Sequence, residues 1–179
     1  MPTQDAVDLS PLSSQQVHTL LLAIALRARS RQQRLATAES CTGGLVAALC
    51  TSLAGSSEWF ECGLVTYSLL AKQQLLGIDA ALLARFGSVS EPIVRDMALG
   101  VLRRSNATLA VAVTGIAGPA GGDVDRPVGT VWFAWAGRNP GGAAPEILQT
   151  LAHQFNGDRE LIRQCAATTA LKGLLQALS

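Results

Sequence analysis

Leu109-Ala110-Val111-Ala112-Val113 runs directly into Thr114-Gly115-Ile116-Ala117-Gly118-Pro119-Ala120-Gly121-Gly122. Five apolar residues in a row, ending in a glycine-rich turn, predict a strand covered on both faces. Such a strand sits inside a sheet with helices above and below it. Upstream, Ser90 is placed to cap a helix, with Glu91 and Pro92 in its first turn and its basic end near Arg104. Downstream, the Gly115–Arg126 loop leads into a second strand, Val128–Trp135. The turn Arg138-Asn139-Pro140-Gly141-Gly142 then folds a third strand, Ile147–Phe155, back as a hairpin. Asp158 caps a last helix reaching Leu178.

Nearer the start, Ser13 or Ser14 caps a helix to about Ser30, striped by Val17, Leu20, Leu21, Ile24 and Leu26. Arg34–Glu39 reads as a short buried strand, and Thr42–Leu53 as a helix opened by glycines. Trp59–Ser68 reads as a strand broken at Gly63, with helical pieces at 69–76 and 80–86. Strands and helices alternate first, and a hairpin comes late. The expected fold is α/β, a three-layer α/β/α domain over residues 12–179 with a mixed, mostly parallel sheet. Residues 1–11 are expected to be a loose tail. In sheets of this kind ligands bind at the carboxyl ends of strands.

The chain has 179 residues, a length suited to one domain of about 100–200 residues with a core of its own. Hydrophobic residues make up 49% and charged residues 15%, which excludes a disordered chain. So few charges leave apolar surface to be buried between subunits, so a homodimer is expected. The net charge of +1 provides no basic footprint for nucleic acid, and the arginines at 27, 29, 31 and 34 read as the solvated end of a helix. No apolar run reaches the about 18 residues of a membrane span. Met1–Ser10 carries Asp5 and Asp8 and no basic stretch, so no export signal is expected. Cys41, Cys50, Cys62 and Cys165 form no Cys-x-x-Cys pair and are expected as reduced thiols in the cytoplasm. His18 and His153 lack ligand spacing, so neither a metal nor another cofactor is expected.

Three segments fall at predicted strand ends. In Ala38-Glu39-Ser40-Cys41-Thr42-Gly43-Gly44 a strand ends, a hydroxyl follows and a helix begins. That layout either exposes a nucleophile beside free helix N–H groups or simply caps the helix with Ser40 or Thr42. Cys41 is an alternative nucleophile. Tyr67, the only tyrosine, stands five residues before Lys72, one of two lysines. A desolvated lysine can act as a base near neutral pH, whereas arginine cannot. The plain alternative is a tyrosine at a strand end and a solvated lysine. Thr114–Gly122 lacks both the Walker pattern and the dinucleotide glycine pattern. Its glycines either let backbone approach a ligand or form a long turn. Arg159 and Arg163 lie one turn apart and can meet a phosphate.

Together these segments resemble the CinA C-terminal domain family, the nicotinamide-nucleotide amidohydrolases. The family's A-E-S-C-T-G-G matches Ala38–Gly44, and its T-Y-S-N-E-A-K matches Thr66–Lys72. Its G-x-V-S-E matches Gly87–Glu91, T-G-I-A-G-P-G-G-G matches Thr114–Gly122, P-V-G-T-V matches Pro127–Val131, and G-D-R matches Gly157–Arg159. The resemblance implies hydrolysis of the amide of nicotinamide mononucleotide to nicotinate mononucleotide and ammonia. It implies Ser40 as nucleophile with Tyr67 and Lys72 as acid–base partners. Lys72 would be kept neutral by burial or by coupling to Tyr67. The amides of Thr42, Gly43 and Gly44 would hold the oxyanion, while Thr114, Gly115, Gly118 and Arg159 would bind the nucleotide. The larger N-terminal domain that some members carry is not expected here. Leu69 and Leu70 replace the family's asparagine and glutamate, and Ala120 replaces a glycine. If Leu69 removes a buried hydrogen bond, the alternative is a weak or silent paralogue that binds pyridine nucleotides or partners in a competence or damage response.

Overall fold

The structure, a computed structural model, describes residues 12–138 and 144–179. In chain order its elements are α1 (Ser14–Ser30), β1 (Leu35–Glu39), α2 (Leu45–Ser52), β2 (Phe60–Val65), α3 (Leu69–Leu76), α4 (Ala80–Phe86), α5 (Glu91–Arg103), β3 (Leu109–Gly115), β4 (Thr130–Gly137), β5 (Glu146–Gln154) and α6 (Arg159–Ala177). The five strands form one sheet in the order β2-β1-β3-β4-β5. The β1–β2 and β1–β3 pairs are parallel, and the β3–β4 and β4–β5 pairs are antiparallel. Four strands therefore point one way and β4 runs against them. This is the three-layer mixed sheet that the alternation of elements predicts.

Alternation along β3 and β4 assigns the two faces. Leu109, Val111 and Val113 of β3 join Val131, Phe133 and Trp135 of β4 in one core with α1, α2 and α6. Ala110, Ala112, Ala134 and Ala136 form the other face, where Met97, Val101 and Leu102 of α5 pack against them. Large side chains fill one layer and alanines floor the other, so α5 lies close to the sheet. Trp135 crosses to α6, where its Nε1 donates to the Ala170 carbonyl at 3.1 Å.

Three local expectations are corrected. Gly63 does not break β2; the register irregularity falls earlier, where Leu35 pairs with Phe60 but Ala36 with Cys62. A Cβ on Gly63 would lie 2.7 Å from the Ala47 Cβ and 2.9 Å from the Thr37 Oγ1, so this glycine lets α2 and β1 crowd the strand. Ser90 stands at the N-cap of α5, but its hydroxyl donates to the Gly87 carbonyl instead of accepting from the helix. The glycines ahead of α2 delay its start to Leu45, with Gly44 as a side-chain-free N-cap at φ 93°. Ser13 and Asp158 cap α1 and α6 as expected. The expected tail over residues 1–11 and most of the Arg138–Gly142 turn lie outside the described residues.

A Cβ on Gly173 of α6 would meet the Trp135 ring at 2.1 Å. Gly173→Ala must push that indole off the helix and is expected to lose about 1–3 kcal/mol or more in urea unfolding. An unchanged midpoint would show that the ring has room to move.

Candidate active site

Ser40 follows the last residue of β1, held there by its amide on the Val113 carbonyl of β3 at 2.9 Å. The parallel β1–β3 pair thus places Ser40 at the carboxyl edge of the sheet, beside the mouth of the glycine-rich loop. Lys72 comes from the middle of α3. Ser68 caps α3 by accepting from the Ala71 amide at 3.0 Å, which aims the next turn toward the sheet. The Lys72 side chain is only 1% exposed. Its Nζ lies 2.9 Å from the Ser40 Oγ and also donates to the Thr66 carbonyl. No carboxylate neutralises it among the described residues. Burial pushes its pKa down from 10.5 to about 8, with only the neighbouring Cys41 pulling the other way. The alternative of a solvated lysine is excluded, and Ser40 does not cap α2, whose N-cap is Gly44 with no side-chain hydrogen bond.

A cleft of about 480 Å³ opens over Ser40, walled by Cys41, Tyr67, Thr114, Gly118, Arg126 and Arg159 among others. Thr114 is buried and donates to the Ser88 carbonyl at 2.8 Å, drawing the Gly87–Val89 segment into the wall. Arg159, in the first turn of α6, donates to the Gly118 carbonyl and to the Tyr67 hydroxyl, both at 2.8 Å. One guanidinium thereby joins three walls of the cleft. Gly115 and Gly118 also line it. Asp123 accepts from both the amide and the guanidinium of Arg126, which hold its carboxyl below the usual range.

Several expected roles move. Tyr67 is 61% exposed and bonded to Arg159 at the rim, so burial, not the phenol, explains the depressed lysine. Gly43 and Gly44 do not line the cleft, and their amides are committed to the Ser40 carbonyl and the Glu39 carboxylate at 3.0 Å each. Thr42 is fully buried, and its carbonyl accepts from Arg163 at 2.9 Å, so Arg163 braces the turn instead of reaching the cleft. Burial pushes the Cys41 thiol up to about 12, with the Glu39 charge adding to the rise, so Cys41 is the poorer nucleophile. Leu69 and Leu70 are 53% and 58% exposed and stand outside the cleft wall. Their replacement of polar residues therefore strands no buried partner.

Two participants escaped the sequence reading. The Thr66 carbonyl, a backbone group, left no side-chain signal. Glu39 is fully buried and accepts four hydrogen bonds, from the Thr37 hydroxyl and the amides of Gly44, Val46 and Ala47. Its signal was an acid closing an apolar strand just before a helix without an N-cap side chain. Among the described residues no group of three His, Cys, Asp or Glu could hold a metal ion, and no helix is long and apolar enough to cross a membrane.

A family model described as the CinA C-terminal domain matches residues 17–178. The nicotinamide-nucleotide amidohydrolase PncC of Enterobacter agglomerans is 46% identical over 165 residues, spanning 92% of this chain and 97% of that protein. The protein of the same name from Escherichia coli K12 is 49% identical over 148 residues, spanning 83% and 86%. The crystal structure of competence damage-inducible protein A from Klebsiella pneumoniae superposes with a TM-score of 0.82 at 40% identity, over 90% of this chain and 96% of that one.

The buried lysine leaves a signature in stability. Its folded pKa of about 8 lies below the ordinary 10.5, so between these values the unfolded chain binds the extra proton and stability rises with pH. Below that window the full cost of burying the charge applies. Wild type should therefore gain up to about 3 kcal/mol relative to Lys72→Met across the window, read by urea unfolding at its two ends. A pH-independent difference would mean that Lys72 titrates normally.

Proposed function

The chain belongs to the CinA C-terminal domain family, and on that premise we propose that it is an amidohydrolase converting nicotinamide mononucleotide to nicotinate mononucleotide and ammonia. The observation that carries this reading is the 2.9 Å contact between the buried Lys72 Nζ and the Ser40 Oγ at the floor of an open cleft. Residues 12–179 are the catalytic unit.

Neutral Lys72 keeps one N–H on the Thr66 carbonyl and turns its lone pair to the Ser40 hydroxyl. It takes the Ser40 proton as Oγ attacks the carboxamide carbon. The cationic pyridinium withdraws electrons from that carbon and makes it more electrophilic. The tetrahedral oxyanion needs free amides. Those of Gly43, Gly44 and Leu45 are occupied by oxygen acceptors, whereas those of Cys41 and Thr42 face only the Cys41 thiol. The Cys41 amide, next after the nucleophile, is the oxyanion donor in this reading. Lys72 returns its proton to the departing nitrogen, so ammonia leaves instead of an amide anion and an ester stays on Ser40. A water then gives its proton to Lys72 and attacks the ester. Ser40 recovers a proton from Lys72 as nicotinate mononucleotide leaves.

The remaining residues bind. Arg159 forms no ion pair among the described residues, so its charge suits the substrate phosphate. Tyr67 sits at the rim, where its ring can cover the pyridinium. Thr114, Gly115 and Gly118 shape the nucleotide wall. A cytoplasmic homodimer is the working state that the low charge and the four free cysteines support. Light scattering showing a monomer at micromolar concentration would remove the dimer.

Ammonia release from nicotinamide mononucleotide tests the reading. Wild type should turn over, and Ser40→Ala and Lys72→Ala should each lose about 10²–10⁴-fold or more in kcat. Turnover should rise with pH and level off above about 8, as Lys72 loses its proton. Tyr67→Phe should raise KM by about 3–10-fold with a smaller change in kcat, since it frees Arg159 without touching the proton path. Tight binding of the nucleotide without ammonia release would instead favour the silent paralogue.

A further inference from the structure

We infer that Glu39 is a positioning residue for the hydrolysis, setting the Ser40 turn and its register against Lys72; this rests on Ser40 being the nucleophile. The N-cap of α2 is Gly44, which has no side chain to offer the helix. The missing acceptor comes from five residues upstream, out of the sheet. Glu39 Oε2 takes the amides of Gly44 at 3.0 Å and Val46 at 3.1 Å, and Oε1 takes that of Ala47 at 2.8 Å. One side chain thus fastens the end of β1 to the first turn of α2. The four residues between, Ser40 to Gly43, form a loop closed at both ends.

The main chain of the same residue reaches the base. The Glu39 carbonyl accepts from the Thr66 amide at 2.8 Å, and the Thr66 carbonyl in turn holds Lys72 Nζ. Nucleophile and base are therefore both referred to Glu39, one through its carboxylate and one through its backbone. The carboxylate has no cationic partner among the described residues, and only the four donors compensate it. Burying an ion on hydrogen bonds alone is a costly way to cap a helix, and the φ of 93° at Gly44 bars the serine or aspartate that would ordinarily do so from that position. What the buried arrangement supplies, and an ordinary cap does not, is a rigid link across the turn. It also occupies the Gly44, Val46 and Ala47 amides, so none of the three is free to hold the oxyanion.

Two variants test this. Glu39→Gln keeps the size but sets an NH2 group against amide donors, so the turn must open. Thr37→Val removes only the hydroxyl that donates to Oε1 at 3.0 Å and keeps the shape. For Glu39→Gln, kcat on nicotinamide mononucleotide should fall about 10–100-fold per folded molecule with KM within about threefold. Thr37→Val should show a smaller kcat loss of about 3–10-fold, again without a KM change. Ser40 labelling by a fluorophosphonate should slow in the same order, a readout that needs no knowledge of the substrate. If folded variants keep wild-type kcat and labelling rate, or if the loss merely follows the folded fraction, Glu39 is a helix cap and the inference fails. If Glu39→Gln does not fold, Thr37→Val decides alone. If wild type labels at Ser40 but releases no ammonia, the amidase reading falls, while the labelling ratio still judges Glu39.

Discussion

A lysine with almost no access to water, and no carboxylate beside it among the described residues, is the constraint around which the site is arranged. An ammonium in that position loses its hydration, and no opposite charge among the described residues restores the lost energy. The chain offers it a carbonyl and a hydroxyl, both able to receive an N–H and neither able to cancel its charge. Lys72 is thereby left near the balance point between its two protonation states, which suits a group that must take and return one proton in each half of a hydrolysis. The neighbouring residues serve that balance. Thr66 presents its carbonyl because β2 ends there, and Ser40 meets the amine because β1 ends one register step away.

The sheet makes this meeting possible. β1 lies between β2 and β3, with Glu39 opposite Val65 on one side and Val113 on the other. β1 and β2 thus finish level while β3 runs two residues further, and the segments that follow them carry Ser40, Thr66 and the glycine-rich wall. The alanine floor beneath α5 and the bulky layer beneath α6 keep the three layers in close register. A shift of either helix would carry a wall of the cleft with it. Arg159 is the clearest case, since a single guanidinium from α6 holds both the Gly118 loop and the Tyr67 rim.

The departures from the family pattern acquire a physical meaning only in this frame. A polar-to-apolar change matters when it strands a buried donor or acceptor. Leu69 and Leu70 point to solvent on the exposed side of α3, while Lys72, one turn further along, is buried, as is Leu76 at the helix end. The same helix therefore tolerates change at its outer positions and admits none at the one that meets Ser40. Cys41 is the mirror case. It stands beside Ser40 and lines the cleft, yet burial pushes its thiol up to about 12 and makes it a poor nucleophile.

The sequence by itself determined the elements, their order and the segments that meet. Apolar alternation, cap residues and glycine clusters are local signals, so β3, α6 capped by Asp158 and the Ser13 cap of α1 were legible residue by residue. The ordered motifs likewise singled out Ser40, Lys72 and the Thr114–Gly122 wall. Tertiary structure alone decided which of two plain readings held at Lys72, because solvation depends on what packs over a side chain and not on its neighbours in the chain. It decided that Tyr67 answers to Arg159, 92 residues away, and not to the lysine five residues on. It also decided that the amides of Gly43 and Gly44 were already spent. A carboxylate that folds back from the sheet into the next helix competes for donors in space, and no reading along the chain could see that competition until the turn was closed.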